Sequence, residues 1–131
     1  MPVGVRRIPW QGGEHDFCIS PLGHVLSLEE ACGCGVAQVY KRLVESVWFA
    51  KDVRETIRLA LIGGGQTPEK ALALVKANVD ENPNGMAPGV VLAIAVLEAY
   101  FVGVKDDPVG KKKRKRAEQV SSTTTDDSAD R

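Results

Sequence analysis

Between residues 27 and 102, apolar side chains recur at three- and four-residue spacing, and Gly, Pro and Asn cut that pattern into helix-length segments. The first segment opens at Ser27-Leu28-Glu29-Glu30, which reads as a capping box: the serine oxygen takes a first-turn amide and a glutamate reaches back. Gly33 and Gly35, on either side of Cys34, end it by offering the left-handed cap position. Val36, Val39, Tyr40, Leu43, Val44 and Val47 make the next stripe, with Lys41, Arg42 and Glu45 left for solvent. Asp52 with Glu55 repeats the capping logic. Val53, Ile57, Ala60 and Leu61 then line one face and Arg54, Glu55 and Arg58 another, as far as Gly63-Gly64-Gly65. Thr67-Pro68 is an N-cap followed by a proline at the first helical position, and Ala71, Leu72, Val75 and Val79 give another buried stripe. Asn82-Pro83-Asn84-Gly85 is a turn. Pro88 opens a last helix that is apolar on nearly every side over residues 90–102 except at Glu98, as suits the middle of a bundle or a subunit interface.

The ends of the chain break this rhythm. Pro2, Gly4, Pro9, Gly12 and Gly13 punctuate residues 1–14 too often for a long element, so they read as a flexible leader. Residues 15–20, with Phe17 and Ile19, read as a short strand or one arm of a hairpin with residues 5–8, closed by Pro21-Leu22-Gly23. Beyond Gly103 the chain turns to Lys, Arg, Ser, Thr and Asp, which predicts a disordered tail over residues 105–131, basic first and then Ser/Thr/Asp-rich. The expected architecture is therefore mainly α: a short N-terminal strand or hairpin, then a compact bundle of four to five helices within residues 15–104.

Charge and cysteines narrow the function classes. The net charge is zero, but residues 1–110 carry 10 Lys or Arg against 13 Asp or Glu, whereas residues 111–131 carry 7 against 4. A mildly acidic body thus precedes a basic tail, and only Lys111, Lys112, Lys113, Arg114, Lys115 and Arg116 could draw a polyanion. With no aromatic residue interleaved there is no stacking, so nucleic-acid contact would be weak and salt-sensitive, and a solubilising or partner-docking role is favoured. Three cysteines, and no signal-peptide core after Met1, point to the reducing cytoplasm of a host cell. The longest apolar stretch, residues 86–97, is shorter than the roughly 20 residues a membrane span needs.

Candidate chemistry is thin. The triple glycine lacks the Gly-Lys-Ser/Thr ending and the preceding strand of a phosphate loop, so it reads as a helix-terminating linker. His15, Cys18, His24, Cys32 and Cys34 are not spaced as zinc ligands and read as thiols and scattered imidazoles. Neither histidine sits beside a recognisable nucleophile. No catalytic residue, cofactor or metal is expected, and the chain reads as a non-enzyme.

The stretch from Trp48 through Asp52-Val53 and Arg54-Glu-Thr-Ile-Arg-Leu-Ala-Leu-Ile-Gly-Gly-Gly65, then Thr67 and residues 71–75, resembles the gene-transfer-agent tail protein family. That family is grouped with phage tail assembly chaperones and sometimes labelled tail tube proteins. Phe17-x-Ile19, Leu28-Glu29, Gly33-x-Gly35 and Tyr40-x-Arg42-Leu43 fall where the family has its strand and first two helices, and the likeness covers residues 16–102. It implies no catalytic residues. It implies a partner of the tape measure protein, the tail tube subunit or both, acting during tail assembly, with self-association open and retention in the virion tail as the alternative. A helix laid in an apolar groove is the physical mode that fits. Trp48, Phe49, Val91, Ile94, Leu97, Glu98 and Phe101 are the candidate partner surface.

Overall fold

The structure, a computed structural model, describes residues 5–103. It opens with antiparallel strands β1 (Arg6–Trp10) and β2 (Gly13–Phe17), Trp10 facing Gly13 and Arg6 facing Phe17. A two-residue turn joins them, and Gly13 takes the φ of +115°. The hairpin arm expected at residues 5–8 is present and runs on to Trp10, and its partner strand begins at Gly13, so residues 6–14 belong to the hairpin and not to a flexible leader. The misleading signal was Pro9. Counted outward from the turn, Pro9 faces Glu14 at a non-hydrogen-bonded position, so its missing amide falls on the free edge where strands tolerate proline. Ile8 and Trp10, two apart and so on one face, pack against the core, and Phe17 is buried within it.

Helix α1 (Leu22–Cys32) starts ahead of the expected capping box, leaving Ser27 exposed inside the helix. Pro21 sets the start instead: its φ is fixed at −56°, and its carbonyl accepts the amides of His24 at 2.9 Å and Val25 at 3.3 Å. The end falls as expected, with Gly33 left-handed at φ 74° and donating to the Glu29 carbonyl at 2.9 Å. Glu29 caps the following helix rather than its own. Its carboxylate accepts the Val36 amide at 2.8 Å, the first of α2 (Val36–Val44). That helix ends before Val47, so Val44 and Val47 are exposed instead of extending the stripe of Val39 and Leu43.

Helix α3 (Ala50–Gly63) corrects a second cap: Asp52 lies inside the first turn and accepts the Phe49 amide at 2.8 Å. Helix α4 (Pro68–Val75) begins as expected, Thr67 Oγ1 accepting the Lys70 amide at 3.2 Å, an arrangement worth about 1 kcal/mol. A π-helical turn, Lys76–Asp80, continues it and keeps Val79 on the buried side with Val75. After the Asn82–Gly85 turn, α5 (Ala87–Val102) closes the fold. Helix α3 is the centre: α1, α2, α4, α5 and β2 all pack on it. Of the two places expected for the most apolar helix, the middle of the bundle is taken by α3 instead, and α5 packs chiefly on α3, with further contacts to α2 and β1.

The triple glycine is a joint between backbones. A Cβ on Gly63 would stand 1.8 Å from the Cys18 carbonyl oxygen, and one on Gly64 would stand 1.9 Å from that of Asp16. The C-terminal end of α3 and the strand after the hairpin turn therefore touch main chain to main chain, fastened by Cys18 donating its amide to the Ala60 carbonyl at 3.0 Å. Gly64 has an ordinary helical φ of −85° and Gly65 alone of the three takes a positive φ, 120°. Among the described residues no helix is long and apolar enough to cross a membrane. The basic run 111–116 and the expected tail lie outside the described residues.

Candidate partner-binding surface

Helix α5 buries Leu92, Ala93, Val96, Leu97 and Ala99 and leaves the opposite stripe uncovered. Val91 is 68% exposed, Phe101 41% and Val102 71%, with Ile94 and Ala95 half-buried along the same side. Large apolar residues exposed in succession at helical spacing signify a surface awaiting a partner more than scattered ones do. The stripe deepens into an apolar groove of about 350 Å³ where β1 flanks the start of α5, walled by Ile8, Pro9, Trp10, Val91, Leu92 and Ala95. At its far end Glu98 accepts the Tyr40 hydroxyl at 3.1 Å, and Phe101 stacks edge-on against Tyr40 with centroids 5.2 Å apart. Desolvation, then that bond to Glu98, hold the Tyr40 phenol above its ordinary value of 10.

The expected surface residues separate into three groups. Val91, Ile94, Glu98 and Phe101 share the outer side of α5. Leu97 does not belong with them: it is fully buried against the core, because it sits on the α3-facing side of the same helix. Trp48 and Phe49 lie at the corner between α2 and α3, Trp48 half-buried against the core and Phe49 64% exposed. Ile8 and Trp10 were missed because residues 1–14 read as a leader, although their two-residue alternation ahead of Gln11-Gly12 was a strand signal.

Phe49 lies against a buried charge pair whose arginine was expected in solvent and whose aspartate was expected only as a helix cap. Arg42 donates to Asp52 Oδ1 at 2.8 Å and to the Cys32 carbonyl at 3.3 Å, while its guanidinium lies 4.8 Å from the centre of the Phe49 ring. Asp52 is fully buried, so the pair ties α2 to the start of α3 in a dry corner. Burial is the largest single influence on the Arg42 pKa and acts to lower it, but the hydrogen bond to Asp52, the Asp52 charge and the nearby Cys34 and Cys32 together outweigh it, leaving it raised. Cys32, beside the pair, is pushed up to about 12, first by desolvation and then by Asp52, so it stays a thiol at neutral pH. Among the described residues no three His, Cys, Asp or Glu side chains converge as a metal site.

The family model described as phage tail tube protein, GTA-gp10, matches residues 4–103. The chain belongs to that family. It is a tail protein of phages and gene transfer agents, and the matched span coincides almost residue for residue with the hairpin and five helices described above. The Leu-Ile-Gly-Gly-Gly run that carried the resemblance is thus accounted for in this tail protein by the backbone joint. No curated protein and no solved structure matches the chain.

Proposed function

We propose that this tail protein is an assembly chaperone, holding the tape measure protein, the tail tube subunit or both while the tail is built, and acting by contact rather than by catalysis. The observation that carries the reading is the outer side of α5 with its groove, an apolar surface beyond what the core consumes. A tape measure helix exposes apolar residues along its length, and a groove of this shape accepts one ridge of such a helix. The second reading, a structural tube subunit kept in the particle, is favoured by the description of the matching family. The described residues weigh against it, because their sheet is a single two-stranded hairpin, little from which to continue a tube wall. Mass spectrometry of purified particles, with a pull-down from producing cells, separates the two. The chaperone is expected to be absent from finished particles and bound to tape measure or tube protein in the cell. Stoichiometric presence in the particle would establish the subunit instead.

A further inference from the structure

The groove wall contains a hydrogen bond that one protonation state of its acceptor permits. The Trp10 indole Nε1–H can only donate, and it points at His15 Nδ1 from 2.8 Å. Nδ1 must therefore be bare, which places the proton of the neutral ring on Nε2. We propose that His15 is a proton-operated latch: neutral, it holds the Trp10 indole in the groove wall, and protonated, it releases it. An imidazolium carries N–H on both nitrogens, so protonation sets two donors facing each other and the bond is lost.

Several contacts depend on that indole. Trp10 packs edge-on against His15, with centroids 5.9 Å apart, and against Phe17 at 5.7 Å, while its other side borders the groove with Val91 and Leu92. His15 is open to protons, since it is half-buried and lines a second cleft of about 410 Å³ with Gln66, Lys70, Ala73, Leu74 and Ala77. Lys70 of α4 is the charged residue across that cleft, and Arg6, on the same face of β1 as Ile8, is the diagonal neighbour of His15. Glu14 and Asp16 flank His15 on β2 but alternate to the other face, where Arg7 engages them at 3.8 and 3.1 Å. That a held polypeptide feels the release rests on the groove being the holding surface; the latch itself does not.

The test is an NMR titration of the full chain carrying Trp48→Phe, so that one indole resonance remains, from about pH 8 to about pH 5. At the upper end, nitrogen spectra are expected to show a bare Nδ1 and a protonated Nε2 on His15. As pH falls, the indole N–H resonance moves upfield and exchanges faster with water, in step with His15. His15→Gln supplies an acceptor that does not titrate and keeps the resonance flat. A protonated Nδ1 at the upper end would overturn the latch, whether or not the variants fold. So would an unmoving indole in the parent, the same shift in His15→Gln, or loss of helical circular dichroism over the same range. Capture of tail proteins is measured at neutral pH, so none of these outcomes bears on the chaperone reading.

Discussion

Helices α3 and α5 invert the relation between composition and burial. Helix α3 carries Lys51, Asp52, Arg54, Glu55 and Arg58, yet Asp52 and Thr56 are fully buried and Glu55 nearly so, because neighbours surround it. Its polar groups survive there by pairing: Asp52 with Arg42, Thr56 with the Asp52 carbonyl at 2.6 Å, and Glu55 with Arg58 at 2.7 Å. Helix α5 has one charged residue in sixteen and still leaves Val91 and Val102 largely in solvent. Position in the fold, and not apolar content, decides which helix is central. Apolar content beyond what the core uses is then evidence of another task.

That contrast can be broken from the α3 side first. Leu61→Asp places an unpaired charge in the core and is expected to cost roughly 4 kcal/mol or more, enough to abolish the cooperative thermal transition. Asp52→Ala strands the Arg42 guanidinium and frees the Phe49 amide; a loss of about 3–5 kcal/mol in denaturant titrations is expected, and a change near zero would mean the corner is wet. Gly64→Val pushes a side chain into the Asp16 carbonyl and should cost about 1–3 kcal/mol, with the hairpin amides losing protection from hydrogen exchange before the helices do.

The pH response probes that corner, through Cys32, and the Tyr40–Glu98 contact at the end of α5 more gently. Folding holds the Cys32 thiol and the Tyr40 phenol above their ordinary values of 9 and 10. The unfolded chain therefore releases these protons first as pH rises, so their contribution is complete below about pH 9 and is lost progressively above it. Denaturation midpoints should be level from neutral to pH 9 and fall beyond, less steeply in Cys32→Ala. Mass mapping should find Cys32 slow to alkylate near neutrality.

Much of the fold was legible because it rests on local rules. The stripes Val53-Ile57-Ala60-Leu61 and Ala71-Val75-Val79 are buried as their spacing requires, although Leu72, expected with the second, turns outward at 41% exposure, and Gly33 and Thr67 terminate and start helices by their own backbone and side-chain chemistry. What was hidden depends on distant partners. Asp52 looks like a helix cap until α2 delivers Arg42 to it, and Gly63-Gly64 looks like a linker until the hairpin lands on it. Of the surface, Val91 and Phe101 were readable as apolar residues on a helix. Leu97 was not separable from them, because α5 is apolar all round and its composition carries no mark of which side faces α3.

The central claim is that the outer side of α5 is surplus to folding and serves to hold another tail polypeptide. The smallest expected effect on stability tests it most directly: Val91→Asp with Val102→Ser, at sites 68% and 71% exposed, should shift unfolding by only about 0.5 kcal/mol each. The decisive measurement is capture of co-expressed tape measure and tail tube protein by this double variant beside the parent. Near-complete loss of capture by a variant that melts like the parent is the predicted result, and undiminished capture would contradict the account.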